Sequence, residues 1–287
     1  MAGALRDKVV LITGAARGIG AETARQLHRE GARLVLVDVD AEALKELAAE
    51  LGDPVTATAD VRDLDAVQRA VDTGVEELGG IDVVVANAGI ASYGSVLAVD
   101  PATFARVIDV NVTGVFHTVR AALPSVVSRR GYVLVVSSMA AFGAMPGMAA
   151  YNASKAGVEH FANALRLEVR HLGVDVGCAH MSWVDTPLVR EAREDLSTFD
   201  EAIASLPPPL NRTVTVETCG RAFVQGIAER KRHVYVPGWV AAVAQARNLL
   251  NSPLGERDAL KHAPERLPRH DEEVRRLGRS TSARNLR

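Results

Sequence analysis

The stretch KVVLITGAARGIGAETARQLHREGARLVLVD, residues 8–38, joins two apolar runs through a glycine-rich turn and an amphipathic segment. The runs at 8–13 and 33–38 are rich in β-branched residues and show no polar alternation, which is typical of strands covered on both faces. Between them, residues 18–31 have helical spacing and end at Gly31. The stretch therefore predicts the strand–helix–strand unit of a parallel sheet.

The same alternation of short apolar runs and longer amphipathic segments continues to residue 237. Asp100 predicts a helix cap, followed by Pro101 in the first turn. Right-handed crossovers between such units give an α/β fold with one doubly wound, seven-stranded parallel sheet and helices on both faces. The other predicted strands are 54–59, 81–89, 131–138, 174–180 and 233–237, and the other predicted helices are 41–52, 64–79, one from Pro101 and one containing Tyr151.

No linker divides the chain, so we predict a single domain over residues 1–252. Residues 186–215 contain three consecutive prolines and no clean period, which is typical of a lid over a substrate site. Residues 253–287 are dominated by Arg, Glu, Asp and Pro, and we predict that this polar tail is disordered. The alternative for the tail is a helix around 271–279 that docks on a partner subunit.

The composition excludes several classes of protein. The 287 residues carry a net charge of −2 and only 4% aromatic residues, which argues against a nucleic-acid partner. Two cysteines do not make a disulfide framework, and the chain shows neither a signal peptide nor an apolar run of membrane-spanning length. We therefore expect a cytoplasmic protein that acts on a small molecule without a metal site.

Gly14, Gly18 and Gly20 follow the first strand and open the first helix. In this context glycines allow a tight turn and let the backbone approach a pyrophosphate. The amides at the start of the helix, including that of Ile19, then face the phosphates. The spacing is GxxxGxG rather than GxGxxG, and it predicts a dinucleotide site.

Two acidic residues that follow strands are predicted to bind the adenosine part of the dinucleotide. Asp38 can accept hydrogen bonds from the ribose hydroxyls and would repel a 2′-phosphate, whereas Arg17 could bind that phosphate. Asp38 carries more weight, so we predict NAD as cofactor over NADP. Asp60, beside the Val61 amide, either accepts from the adenine amino group or caps the helix that begins at Leu64.

Several motifs, in the right order, resemble those of the classical short-chain dehydrogenases/reductases. Tyr151 follows Ser138 by 13 positions and precedes Lys155 by four, as in that family. The resemblance covers about residues 6–250 and implies a Rossmann fold and an NAD(P)(H)-dependent interconversion of alcohols and ketones. It is carried by TGAARGIG (13–20), NAG (87–89), Asn111, Ser138, and Tyr151 with Lys155.

The chemistry of this set also follows from the residues themselves. Tyr151 and Lys155 lie on one helix face. The ordinary pKa of tyrosine, about 10, is too high for a general base near neutrality, and a nearby ammonium lowers it. Tyr151 is therefore the predicted acid/base. Ser138 is predicted to hold the same substrate oxygen, and it is chosen over Ser137 by its spacing.

Other roles are implied only by the resemblance. Lys155 would also bind the nicotinamide ribose, and Asn111 would hold a water that links Lys155 to solvent. Asn87 would stabilise the central strand, and Ala88 and Gly89 would line the cofactor groove, with Gly89 allowing a close approach. Without the resemblance, Asn111 is better explained as a polar residue on its helix.

One segment departs from the family pattern. Met181 and Ser182 stand where the family usually has Pro-Gly, while Thr186 is kept. By resemblance, the Val184 backbone and the Thr186 hydroxyl would contact the nicotinamide carboxamide. The changed turn alters the expected pocket beside Trp183.

The substrate pocket is predicted to be apolar, and no cluster of Arg or Lys lies among its candidate residues. This indicates a hydrophobic secondary alcohol or ketone, such as a steroid-, terpenoid- or polyketide-like molecule. The alternatives are an acyl-thioester substrate and a catalytically silent dinucleotide-binding sensor. The family also implies a homodimer or homotetramer. The candidate substrate-binding residues are Tyr93, Phe142, Met145, Met148, Trp183 and Leu188.

Overall fold

The computed structural model describes residues 3–286. Within this range the strands form one parallel sheet in the order β3-β2-β1-β4-β5-β6-β7. The predicted doubly wound α/β fold is therefore confirmed, and most strand ends fall within two residues of the predicted ones. The strands are β1 Val9–Thr13, β2 Arg33–Asp38, β3 Val55–Thr58, β4 Val83–Ala86, β5 Tyr132–Val136, β6 Asp175–Met181 and β7 His233–Val236.

Helices cover both faces of the sheet. Asp100 accepts a hydrogen bond from the Thr103 amide, and Pro101 occupies the first turn, so the predicted cap is confirmed. A π-helical turn, Asp109–Thr113, joins this helix to the next one along the chain. The helices are α1 Gly18–Arg29, α2 Ala41–Glu50, α3 Leu64–Leu78, α4 Pro101–Ile108, α5 Gly114–Ser128, α6 Ala149–Val169, α7 Pro187–Asp195, α8 Ser197–Ala204, α9 Val216–Ala228, α10 Val240–Gln245, α11 Arg247–Leu250 and α12 Pro253–Leu277.

Alternate residues of β1 pack into two different cores. Val10 and Ile12 belong to the cluster that includes α1, α2 and α9. Val9 and Leu11 belong to the cluster on the other face, with α3, α5 and α6. Because both faces are covered, the strand needs apolar residues at every position, which is why its sequence does not alternate.

The segments that the sequence predicts to be irregular are largely helical. The proposed lid at 186–215 contains α7 and α8. The prediction that 253–287 is disordered is wrong, because residues 253–277 form α12 and pack on the same chain. The alternative prediction, a helix around 271–279 that docks on a partner subunit, gave the correct secondary structure for most of that stretch.

Polar contacts explain how a tail with few apolar residues becomes ordered. The Asp271 carboxylate accepts hydrogen bonds from the backbone amide (2.9 Å) and hydroxyl (2.6 Å) of Ser95. The Thr198 hydroxyl donates to Glu273 at 2.6 Å. Val274 of α12 is also buried, and it packs in the same apolar cluster as Tyr93 and Phe199. Side-chain hydrogen bonds to Ser95 and to Thr198 of α8 thus supplement a small apolar contact. The amino-acid composition of the tail does not reveal such pairing.

No helix among residues 3–286 has both the length and the continuous apolar character that a membrane crossing requires. Both cysteines, Cys178 and Cys219, are buried and form no disulfide.

His180 is a buried histidine in β6. Its ring stacks on Phe142 with centroids 4.6 Å apart, and its Nε2 lies 3.7 Å from the Cys178 sulfur and 3.8 Å from Glu159. The pKa of His180 is lowered to about 3, mainly by burial and to a smaller extent by the nearby His233 and Arg247. The folded protein therefore holds this ring neutral at any moderately acidic pH.

We expect this histidine to make folding stability depend on pH. The unfolded chain binds a proton at His180 near pH 6.5, while the folded chain does so only near 3. Stability is therefore present above pH 6.5 and lost as the pH falls, by about 2 kcal/mol between pH 7 and 5. Urea unfolding of the wild type and His180→Gln at both pH values measures this difference, which the variant should lack.

The matched control is His28→Gln, because His28 is exposed on α1. It should keep the pH dependence of the wild type. An equal loss of stability on acidification in the wild type and in His180→Gln would contradict the assignment.

Candidate active site

A cavity of about 500 Å³ opens at the carboxyl ends of the central strands. This is the edge at which open α/β sheets bind their ligands. Eight of the predicted site residues do not line the cavity. Gly20, Asn111 and Lys155 lie behind its wall, and the other five are the substrate-binding candidates Tyr93, Phe142, Met145, Met148 and Trp183. The predicted residues that do line it are Gly14, Arg17, Gly18, Ile19, Asp38, Asp60, Val61, Asn87, Ala88, Gly89, Ser138, Tyr151, Val184, Thr186 and Leu188.

The glycine turn is held in contact with the end of β4. A Cβ at Gly14, whose φ is +64°, would lie 2.7 Å from the Cα of Ala88, and a Cβ at Gly20 would lie 2.1 Å from the Gly14 carbonyl oxygen. The Asn87 side-chain amide donates to the carbonyls of Thr13 (3.0 Å) and Gly14 (2.9 Å). Asn87 thus stabilises the central strands, as expected by resemblance.

The start of α1 is suited to an anion. The residue that precedes the helix, Arg17, makes no side-chain capping hydrogen bond. Gly18 and Ile19 line the cavity at this point. Uncapped amides and the positive end of the helix dipole are the features that bind phosphate, so these residues fit the pyrophosphate of a dinucleotide.

The acidic residue at the end of β2 is fixed by the backbone. Asp38 accepts one hydrogen bond from the Ala16 amide and another from the Asp40 amide, both at 2.9 Å. Each carboxylate oxygen keeps one further acceptor position, so a pair of ribose hydroxyls fits. Arg17 is paired with Asp40 at 2.6 Å, which engages the guanidinium that could otherwise have favoured a 2′-phosphate.

Asp60 also lines the cavity, and it does not cap the next helix. The cap of α3 is Asp63, whose carboxylate accepts from the amides of Asp65 and Ala66. Asp60 instead pairs with Arg62 at 2.6 Å, and this hydrogen bond lowers the pKa of its carboxyl. The capping alternative for Asp60 is therefore wrong, and its position suits the adenine end of the cavity.

Tyr151 and Lys155 lie on the first turns of α6. The Lys155 ammonium is buried, donates to the Val136 carbonyl at 3.1 Å, and lies 5.6 Å from the centroid of the Tyr151 ring. Burial lowers the pKa of Lys155 to about 8. Burial also raises the pKa of Tyr151, and a hydrogen bond with Ser138 acts in the opposite direction. In the protein alone, desolvation thus outweighs the predicted lowering of the Tyr151 pKa by Lys155.

The structure separates the roles of two adjacent serines. Ser137 is fully buried, and its hydroxyl donates to the Lys155 carbonyl at 2.7 Å. Ser138 lines the cavity with Tyr151, and its hydroxyl accepts from the Ala140 amide at 3.2 Å. Ser137 therefore fixes the start of α6, whereas Ser138 is accessible to a substrate.

Asn111 lies in the π-helical turn and is fully buried. Its side-chain amide donates to the Ile90 carbonyl and the Ser154 hydroxyl, both at 2.9 Å, and its oxygen accepts from the Ile90 amide at 2.8 Å. A Cβ at Gly89 would lie 3.3 Å from the Asn111 oxygen and 3.4 Å from the Lys155 ammonium. Asn111 and Lys155 therefore flank one small space, which a side chain at position 89 would narrow.

A packed cluster of apolar side chains, which we call the apolar compartment, includes Tyr151. Trp183 is fixed by a hydrogen bond from its indole nitrogen to the Leu210 carbonyl (3.0 Å) and by an edge-on contact with Phe199 (5.7 Å). Five of the six predicted substrate-binding residues belong to this compartment, which is closed by side chains of α7, α8 and α12. These five are Tyr93, Met145, Met148, Trp183 and Leu188.

Phe142, the sixth predicted substrate-binding residue, lies apart from the other five. Phe142 is 1% exposed, stacks on His180, and does not line the cavity. The chain after β5 turns this ring toward β6, whereas the neighbouring methionines face Tyr151. An apolar residue in a loop has no period that would reveal which side it faces.

The unusual Met-Ser pair continues the sheet. Met181 ends β6 opposite Val236, and the Ser182 amide donates to the Val236 carbonyl at 2.8 Å. Ser182 lines the cavity, and its hydroxyl oxygen is buried without a hydrogen-bond partner among the described residues. Thr186 caps α7 through the Val189 amide. Sequence reasoning treated Ser182 only as a departure and missed it as a polar group that faces the cavity.

The largest omission of the sequence prediction is at the end of the chain. Ser282, Arg284 and Asn285 line the same cavity as the glycine turn, and Arg106 and Glu191 do so as well. No motif marks these residues, and a polar tail rich in arginine gave no signal that it would fold back.

Comparison with known proteins shows that the chain is similar to dehydrogenases. The family model described as short chain dehydrogenase matches residues 8–197. An uncharacterised NAD-dependent oxidoreductase of Mycobacterium tuberculosis is 34% identical over 228 residues, which are 72% of this chain and 82% of the relative. The (−)-trans-carveol dehydrogenase of Rhodococcus erythropolis is 34% identical over 263 residues, covering 80% of this chain and 94% of the relative.

A solved structure shares the same architecture. The short chain dehydrogenase from Mycobacterium paratuberculosis bound to NAD superposes with a TM-score of 0.71 and is 30% identical. The match covers 81% of this chain and 96% of the solved one.

We expect Asn111→Ala to destabilise the wall of the site by about 3 kcal/mol, since it leaves the Ile90 amide and carbonyl without their buried partner. Urea unfolding measures the loss of stability. Hydrogen exchange at the Ile90 amide gives the local readout, and it should become faster.

Asn248→Ala is the control, because Asn248 is exposed on α11 and its truncation should leave both measurements unchanged. If Asn111→Ala retained both the stability and the Ile90 protection of the wild type, the structural assignment of Asn111 would be wrong.

Proposed function

Because this chain belongs to the short-chain dehydrogenase family of oxidoreductases, we propose that it interconverts a secondary alcohol and a ketone on a hydrophobic small molecule, using NAD(H). The observation that carries the proposal is a single cavity with two ends. One end presents the glycine turn and Asp38, and the other presents Ser138 and Tyr151 beside an apolar compartment.

The residues divide the proton chemistry between them. When bound, the nicotinamide ring accepts or delivers the hydride. Tyr151 takes the hydroxyl proton of the alcohol in oxidation and donates a proton to the carbonyl oxygen in reduction. Ser138 donates a hydrogen bond to the same oxygen and orients it. Since burial raises the pKa of Tyr151, its resting form is the phenol, which is ready to act as the acid in reduction.

Lys155 acts from behind the tyrosine. It uses one ammonium hydrogen on the Val136 carbonyl and keeps two donors for cofactor ribose hydroxyls. Its pKa of about 8 lies close enough to neutrality for proton exchange. The side chain of Asn111 is committed to Ile90 and Ser154, so a relay water would use its second oxygen lone pair or its backbone carbonyl.

The preference for NAD over NADP rests on charge. Asp38 presents a fixed carboxylate where a 2′-phosphate would lie, and Arg17 is neutralised by Asp40. A relative named as NAD-dependent and a structural neighbour bound to NAD support the same preference.

The apolar walls around Tyr151 support a steroid-, terpenoid- or polyketide-like substrate. The similarity to a carveol dehydrogenase is compatible with a terpenoid alcohol. The alternatives are an acyl-thioester substrate and a dinucleotide sensor without turnover, and a substrate screen separates both of them from the leading proposal.

We also propose a cytoplasmic homodimer or homotetramer. Phe116 on α5 and Leu167 on α6 are 46% and 69% exposed, and they offer apolar surface on the helices through which the family commonly associates.

We expect Tyr151→Phe to reduce turnover at least about a thousandfold, because the phenol is the group that transfers the proton to or from the substrate oxygen. The measurement follows nicotinamide absorbance in a screen of hydrophobic secondary alcohols and ketones, with both NAD(H) and NADP(H). NADH binding, measured separately by fluorescence, should stay within about twofold of the wild type.

Tyr235→Phe is the control, since Tyr235 lies in β7 outside the cavity. Its turnover should match that of the wild type. Undiminished turnover in Tyr151→Phe would disprove the acid/base assignment. Tight NADH binding without turnover across the screen would favour the thioester or sensor alternative.

We expect Asp38→Asn to shift the ratio of the NADPH and NADH dissociation constants by about tenfold toward NADPH, because it removes the negative charge that repels a 2′-phosphate. Fluorescence titration with each reduced cofactor measures the ratio. Asp72→Asn, at an exposed position on α3, should leave the ratio unchanged. Tighter binding of NADPH than NADH by the wild type would refute the assigned preference.

A further inference from the structure

Residues 279–286, which follow α12, form a segment that we call the strap. Its first half is hydrogen-bonded to the chain that leaves β4. The Tyr93 amide donates to the Ser280 carbonyl at 2.7 Å, and the Asp100 amide donates to the Ser280 hydroxyl at 2.9 Å. The Thr281 hydroxyl donates to the Ala91 carbonyl at 2.6 Å. These strap residues are buried, so the contacts form a built interface.

The strap is also bound to the opposite wall of the cavity. Arg279 pairs with Asp195 at 2.5 Å, and Arg284 pairs with Glu191. Both carboxylates lie on α7, the first helix of the lid. The strap therefore connects the lid to the loop after β4, across the opening between them.

The far end of the strap reaches the dinucleotide end of the cavity. Arg284 and Asn285 line the same cavity as Gly14 and Gly18. The Asn285 carbonyl accepts a hydrogen bond from Arg106 of α4 at 2.5 Å. A molecule that fills this end of the cavity would therefore lie between the glycine turn and the strap.

Arg284 keeps unused donors at the cavity, because only its Nη2 is engaged, in the pair with Glu191. Burial lowers the pKa of Arg284, and the like charge of Arg17 lowers it further, while Asp40 and Asp38 act in the opposite direction. Two guanidinium groups thus approach the cavity from different parts of the chain, one before α1 and one from the strap. A guanidinium presents several donors in a planar fork that matches a phosphate group.

We propose that the strap is a cover for the bound dinucleotide, and that its Arg284 is a binding residue for the dinucleotide phosphates, facing the uncapped start of α1. This inference rests on the proposed binding of NAD(H). The glycine turn supplies amides from one side and Arg284 supplies a cation from the other.

The position of the strap has a kinetic consequence. Because it joins both walls, the dinucleotide exchanges only when the hydrogen bonds at Ser280 and Thr281 or the ion pairs on α7 open. A bound dinucleotide in turn adds a contact to Arg284 and stabilises the closed strap. Cofactor release is therefore coupled to strap opening.

The first test compares the wild type with Arg284→Gln, using NADH, ADP and adenosine as probes. Arg284→Gln should weaken NADH and ADP binding about tenfold, since a charge-assisted hydrogen bond is lost, and should leave adenosine binding unchanged. The NADH dissociation rate, measured by stopped-flow displacement, should rise by a similar factor. Arg276→Gln is the control, because Arg276 is exposed on α12 and outside the strap, and it should behave like the wild type.

The second test uses the unaltered protein and so does not depend on the folding of a variant. Trypsin cleaves after arginine, and the strap contains Arg279 and Arg284. Saturating NADH should slow cleavage at both sites at least about fivefold, because local opening must precede cleavage. Cleavage after Arg257, at an exposed position near the start of α12, is the internal control and should not change.

The outcomes separate the two proposals. A wild type that binds neither NADH nor ADP would refute the proposed function itself. A wild type that binds NADH, with equal affinity in Arg284→Gln and no protection of the strap from trypsin, would overturn only the strap proposal. Tighter NADH binding by Arg284→Gln would also overturn it, since the strap would then compete with the dinucleotide.

Discussion

The site depends on the close approach of two parallel strands at the point where the strand order reverses. From β1 the chain proceeds to one edge of the sheet through β2 and β3, and from β4 it proceeds to the other. The helices that follow β1 and β4 therefore diverge, and a crevice opens between them. Gly14 and Ala88 meet at the floor of this crevice with no space for a side chain, and the Asn87 amide joins the two strand ends. This contact fixes the ends of β1 and β4, from which the loops that line the cavity begin.

Burial of Tyr151 and Lys155 disfavours the charged form of each side chain. It raises the pKa of Tyr151 and lowers that of Lys155, so both groups are pushed toward their neutral forms. The i,i+4 pair is thus insufficient, in the protein alone, to produce a phenolate near neutrality. The lysine is also held by a backbone carbonyl, which keeps it behind the tyrosine. In the proposed reaction Tyr151 would therefore donate a proton first, and proton acceptance would require further stabilisation of the phenolate, toward which the hydrogen bond with Ser138 contributes.

Much of the fold could be predicted because the central strands are covered on both faces and read as continuous apolar runs. The glycine turn was readable from its place between a strand and a helix, and Tyr151 and Lys155 from their i,i+4 spacing, whereas Ser138 was identified by its resemblance to the family pattern. Phe142 could not be placed, because its direction depends on the path of a loop. The C-terminal tail was misjudged for a different reason. Its order arises from side-chain hydrogen bonds to distant loops, such as Asp271 to Ser95, and composition carries no information about such pairing.

The polar interactions that hold the strap are suited to a segment that opens during cofactor exchange, as we propose. A cover held by large apolar contacts would release slowly, because separating them exposes apolar surface to water. The strap is held mainly by hydrogen bonds and ion pairs, and each of these groups can bind water instead when the strap lifts. The ion pairs to Asp195 and Glu191 join the strap to α7, the first helix of the proposed lid, so opening of either part would break the same two pairs. Closure of both would exclude water from Tyr151 during hydride transfer, while polar attachment would keep exchange of the cofactor fast enough for turnover.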